Sequence, residues 1–123
     1  MKSKYNVSDT EKEILEKLWE YPMGIKQVAL LDVFLREGKE WKRQTLNTHL
    51  SRLEEKGLVK RKKRIVFAVY GQTEYNNLLM KESIDYMYDG KISNFVVAFM
   101  SEKQITEADL RELQALLERY TKN

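Results

Sequence analysis

The spacing of apolar positions along this 123-residue chain changes twice, from helical to alternating and back to helical. Ser8 followed by Glu11 has capping-box spacing and predicts a helix start, with Ile14, Leu15, Leu18 and Trp19 as its apolar stripe. Pro22 and Gly24 in "YPMG" end that element. A second helix is expected from Lys26 to Glu37, with Val28, Ala29, Leu31, Phe34 and Leu35 inward and Gly38 as its stop. A third is expected in "WKRQTLNTHLSRLEEKG", where Leu46, Leu50 and Leu53 recur at i, i+4 and i+7 and Gly57 follows the end. At 100° per residue, Gln44, Thr48, Ser51 and Glu55 lie opposite that stripe, flanked by Asn47 and Arg52.

Next, "LVKRKK" and "RIVFAVY" are β-prone runs with little chain between them, which predicts a hairpin. Its turn, placed near Lys62 and Lys63, lacks the usual Asn-Gly signal. Three helices followed by a hairpin is the order of a winged helix-turn-helix. The third helix would be the reading element and the hairpin the wing.

After Gly71 the helical period returns. "TEYNNLLMKESIDYMY" carries Leu78, Leu79, Met80, Ile84, Met87 and Tyr88, and Asp89-Gly90 breaks it. Ile92, Phe95, Val96, Phe99 and Met100 form a short amphipathic helix. Thr106 and Asp109 cap another, striped by Leu110, Leu113, Leu116, Leu117 and Tyr120. Helices of this number and length do not enclose a core alone. A second copy is the expected cover, which predicts a homodimer joined through Ile92, Phe95, Val96, Phe99, Leu110, Leu113 and Leu117. The fold class is therefore mainly α with a small β-hairpin wing: a winged-helix DNA-binding domain over 1–72 and a helical dimerisation domain over 73–123.

Charge sharpens this reading. The chain is only +3 overall, yet residues 36–64 hold eleven Lys/Arg against four Asp/Glu, a local net of +7. A basic block on a mildly acidic scaffold is the footprint of a polyanion-binding face, against the plainer reading of a solvated surface. Lys42 and Arg43 fall in the first turn of the third helix, where the macrodipole disfavours cations by up to ~1 kcal/mol. A phosphate held jointly by that helix end and those side chains would account for them. Gln44 and Asn47 suit adenine edges; Thr45 and Thr48 suit a thymine methyl or a phosphate, and Ser51 and Arg52 share that face. Lys60, Arg61, Lys62, Lys63 and Arg64, alternating across the hairpin, would meet phosphates from the wing, although a charged edge also deters strand aggregation. Trp41 would staple the start of the third helix or lie on a duplex backbone.

Other chemistry is sparse. With no cysteine there is no disulfide and no thiolate ligand. His49 has no companion ligands at metal spacing, so no metal or other cofactor is expected and His49 reads as structural. Glu54 and Glu55 read as solvated, and the five methionines as core or dimer filler. No glycine-rich phosphate loop or nucleophile motif suggests an enzyme. With no signal peptide and no apolar run long enough for membrane insertion, the cytoplasm is the expected compartment.

"TLNTHLSRLEEKGLVKR", "YDGKISNFVVAF" and "ITEADLRELQALLERY" together resemble the penicillinase-repressor family, the bacterial BlaI/MecI/CopY regulators. The resemblance runs from about Ser8 to Tyr120. It implies a dimeric repressor on a palindromic double-stranded DNA operator, with Thr45, Asn47 and Thr48 at base-reading positions and Arg52 on the backbone. In the β-lactam-responsive members position 47 is typically basic; here it is Asn47. Those members are inactivated when a membrane sensor-protease signal leads to cleavage of an Asn-Phe bond, which corresponds here to Ala98-Phe99. The copper-responsive branch carries a C-terminal cysteine cluster that this chain lacks. An alternative to DNA binding is a winged-helix module whose basic face meets an acidic partner protein; RNA binding, without an aromatic-rich exposed sheet, is the weaker third.

Overall fold

The computed structural model describes residues 3–102 and 105–121, and within them the chain is mostly helical with one small antiparallel sheet. The order is α1 (Asp9–Trp19), β1 (Ile25–Lys26), α2 (Gln27–Arg36), α3 (Arg43–Glu55), β2 (Val59–Lys62), β3 (Ile65–Ala68), α4 (Gln72–Met87), α5 (Ile92–Glu102) and α6 (Glu107–Thr121). It forms two compact units, one ending at Glu82 and one beginning at Ser83.

In the first unit, Ser8 and Glu11 make the expected reciprocal capping box, and Ile14, Leu15 and Leu18 face the core from α1. Leu46, Leu50 and Leu53 do so from α3, as the i, i+4, i+7 spacing requires. With Leu30 and Phe34 of α2, Leu58, Val59, Val66 and Tyr75 complete the cluster. α3 ends in a Schellman motif: Leu58 N–H donates to Leu53 O, and Gly57 N–H donates to Glu54 O. Gly57 has φ +75°, which only glycine adopts freely.

The apolar face of α2 differs from expectation. Leu30 and Phe34, at i and i+4, are its buried pair, whereas Val28 is 69% exposed and Leu35 faces solvent. The run "VALLDVFL" is apolar on almost every side, so periodicity alone does not choose the inward face; packing into the shared core cluster does. Met23, 92% exposed, is no core filler. Trp41 packs on Phe34 with ring centroids 4.6 Å apart, which places it among the core neighbours.

The sheet order is β1-β3-β2, with Ile25 opposite Val66 and Lys62 opposite Ile65. β1 has only two residues, too few for any alternation to be read. The hairpin loop is Lys63-Arg64, one residue beyond the expected place. Both residues have positive φ, 52° and 68°, as a two-residue primed turn demands.

α4 buries Tyr75 rather than the later stripe; Met80 and Met87 are exposed. Tyr75 donates its hydroxyl to Tyr5 O at 2.7 Å, and Trp19 Nε1 donates to Tyr70 O at 2.9 Å, so both chain ends of this unit are tied to its core.

In the second unit, Asp89 and Gly90 take positive φ and break the helix as expected. Tyr88, Phe95 and Phe99 stack in succession, at 5.8 and 6.3 Å between ring centroids. Thr106 and Asp109 exchange capping bonds. Neither α5 nor α6 has a buried residue among those described.

Candidate nucleic-acid interface

Among the helix starts, four differ in a regular way. α1 and α6 carry side-chain caps and acidic residues in the first turn. α2 and α3 carry neither: their N-cap residues are Lys26 and Lys42, and no side chain caps either helix. N–H groups without a side-chain cap and the positive end of the dipole therefore coincide with lysines at both helices. The sequence reading found this at α3. At α2 the same signal, a lysine where a cap residue would stand, is Lys26.

Lys42, Arg43, Gln44 and Arg52 are exposed on α3, while Thr45, Asn47, Thr48 and Ser51 are half-buried. Thr48 donates its hydroxyl to Gln44 O at 2.9 Å, one turn back. Between the starts of α2 and α3 and the wing turn lies a groove of about 540 Å³, lined by Gln27, Val28, Leu31, Asp32, Arg43, Leu46 and Arg64. Exposed Val28 is part of its apolar floor, and Arg43 and Arg64 bring charge from two elements that are distant in sequence. The Gln27 N–H donates to Arg64 O at 2.9 Å and fastens the turn to the start of α2.

The five wing cations do not act alike. Side chains alternate along a strand, so Arg61 shares the inward face of β2 with buried Val59, while Lys60 and Lys62 face out. Arg61 Nε and Nη2 donate to Glu54 Oε1 at 2.9 and 2.5 Å. Nη1 donates to Asn47 Oδ1 at 2.8 Å and to Gln27 Oε1 at 3.3 Å, and Nη2 also donates to Ser51 Oγ at 3.1 Å. Glu54 is thus an ion-pair partner rather than the solvated carboxylate expected from its place near the helix end. Lys60, Lys62, Lys63 and Arg64 are exposed and form no ion pair among the described residues, and the same holds for Lys42, Arg43 and Arg52.

His49 is half-buried, 6.3 Å from the Trp41 ring, with Nδ1 buried and lacking a hydrogen-bond partner. No group of three or more His, Cys, Asp or Glu side chains is arranged to hold a metal among the described residues. No helix there is long and apolar enough to cross a membrane.

A head of three helices and a wing, with two uncapped helix starts and unpaired cations beside them, followed by amphipathic helices, defines a winged-helix regulator. The profile of the penicillinase repressor family matches residues 7–119, and the chain belongs to that family of DNA-binding transcriptional repressors. Methicillin resistance regulatory protein MecI of Staphylococcus aureus strain N315 is 27% identical over 120 residues, covering 92% of this chain and 94% of its own. MecI of Mammaliicoccus sciuri is 26% identical with the same coverage. The penicillinase repressor of Bacillus licheniformis is 23% identical over 124 residues, covering 98% and 95%.

Proposed function

We propose that the chain represses transcription as a homodimer on a palindromic DNA operator. α3 lies in the major groove, with Gln44, Thr45, Asn47, Thr48 and Ser51 toward the bases. Lys42, Arg43 and Arg52 hold phosphates beside it, and Lys60, Lys62, Lys63 and Arg64 hold phosphates from the wing. The observation that carries this reading is the uncapped, lysine-bearing start of α3, faced across one groove by a wing turn whose cations have no protein partner. Two such heads related by a dyad require half-sites one helical turn apart, or a multiple of it.

Dimerisation is supported by unit two, where Ile92, Phe99, Leu110, Leu113 and Leu117 are 37–66% exposed in a single protomer. Uncovered stripes of that size on two adjacent helices call for a partner surface, and two copies joined face to face supply it symmetrically. Release from DNA would follow from cleavage at Ala98-Phe99 under a membrane sensor-protease signal. That bond lies within α5, so the helix must open before a protease can bind it in extended form.

Mobility shift across a salt series tests the function. A DNA repressor loses affinity with a log–log slope near −0.9 per phosphate contact and prefers one operator strongly. In that case, Lys62→Ala with Lys63→Ala weakens all duplexes alike and flattens the slope. Shallow salt dependence without a preferred sequence would instead support a module that binds an acidic protein.

A further inference from the structure

Arg61 has five N–H donors, and all five are spent within the protein: two on Glu54 and one each on Asn47, Gln27 and Ser51. Its charge is met by the Glu54 carboxylate. No donor remains for a phosphate. The guanidinium, at the centre of the wing's inner face, instead grips the two polar side chains that stand one helical turn apart on α3, Asn47 and Ser51.

We propose that Arg61 is a positioning residue that sets which base pair α3 reads, by holding the carbonyl oxygen of Asn47 toward the wing and leaving its amide nitrogen to face outward. This deepens the DNA-reading function proposed above and rests on it. Arginine cannot accept a hydrogen bond, so the atom of Asn47 that faces it must be the carbonyl oxygen. The amide nitrogen then points away from Arg61, and its two N–H groups have no partner among the described residues. Ser51 likewise accepts from Arg61 and keeps its own proton to donate. The central face of the reading helix therefore offers donors.

Base pairs answer this differently. Guanine presents two adjacent acceptors in the major groove, N7 and O6, whereas adenine presents one acceptor and one donor. An asparagine reads adenine by turning both Oδ1 and Nδ2 to the base edge; here the Arg61 bond turns Oδ1 toward the wing, so that pose requires the amide to rotate. The held amide selects a G·C pair. This differs from the adenine contact that residue type alone suggests, because the wing supplies a cation to the reading helix.

The test selects preferred duplexes from a randomised pool with the full-length protein, with Asn47→Ala and with Arg61→Met. The pair at which Asn47→Ala loses its preference is the one Asn47 reads. A G·C pair there in the wild type, preferred roughly tenfold, supports the proposal, and an A·T pair overturns it. Arg61→Met is expected to shift preference at that one pair toward A·T, with other positions and the salt slope unchanged. An unchanged preference would leave Arg61 a purely structural residue, and uniform weakening with a flatter salt slope would make it a phosphate contact; either overturns the proposal. If Arg61→Met does not fold, the comparison of wild type with Asn47→Ala still decides, since Asn47 lies outside the core. A wild type that selects no sequence would instead overturn the DNA-reading function itself.

Discussion

The ammonium of Lys56, at the end of α3, reaches the carboxylate of Glu11 in the first turn of α1, forty-five residues earlier, at 3.0 Å. Among the described residues Glu11 is the one buried charged side chain, 4% exposed, and it also closes the capping box with Ser8. Burial pushes its pKa up, but the bonds from Lys56 and Ser8 together outweigh burial and hold it below the ordinary 4.5.

The sign of that shift sets a pH dependence. Stability from Glu11 is present in full above pH 4.5 and is lost as pH falls through the lower folded value. Lys56→Met leaves burial less opposed, so the variant should be less stable at pH 7 by about 1.5–3 kcal/mol. Its further loss on acidification should be smaller than the wild type's. Urea unfolding at pH 7 and at pH 3.5 measures both, and an unchanged midpoint at pH 7 would contradict the role given to Lys56.

The wing turn sets stability against charge. Lys63 and Arg64 hold left-handed backbone that costs L-residues about 1–2 kcal/mol each, at positions where Asn-Gly is the favoured pair. Replacing both (K63N/R64G) should raise the unfolding free energy by about 1–2 kcal/mol while weakening binding to every duplex. Thermal melts and mobility shifts on the same samples check the pairing of the two effects.

In the proposed dimer, a charge placed in the exposed stripe of α6 should separate the protomers. Leu113 is 40% exposed in one protomer, and Leu113→Glu is expected to yield monomers in sedimentation at micromolar concentration. The winged-helix unit should keep its melting behaviour, because its core lies before Ser83. Operator affinity should then fall by at least tenfold, since each head is left to bind a half-site alone.

Glu82 anchors the chain start. Its carboxylate accepts from the Ser3 hydroxyl at 2.5 Å and from the N–H groups of Lys4 and Tyr5 at 2.7 and 3.3 Å. Burial raises its pKa, and these bonds with the Lys4 charge lower it further than burial raises it. Glu82→Ala should speed amide exchange at Lys4 and Tyr5 by tenfold or more, with little change at Leu50 in the core, as hydrogen-exchange spectroscopy would report.

Much of this was legible in one dimension. The Ser8–Glu11 and Thr106–Asp109 caps, the Leu46, Leu50, Leu53 stripe, the Gly57 stop and the Asp89-Gly90 break are local signals, each set by residues within a turn or two. Local chemistry acts the same way wherever the segment is placed, so the helices and the hairpin are readable from the chain alone. Packing set what depends on distant partners. It selected Leu30 over Val28 as the inward residue of α2, since an all-apolar helix takes its face from what packs on it. It paired a two-residue β1 with β3, and it gave Glu11 a counter-ion. It also divided the five wing cations, because the period-two alternation of a strand acquires an inside only once α3 lies against it. That contact turned Arg61 inward, to Asn47 and Glu54, and left its neighbours to solvent.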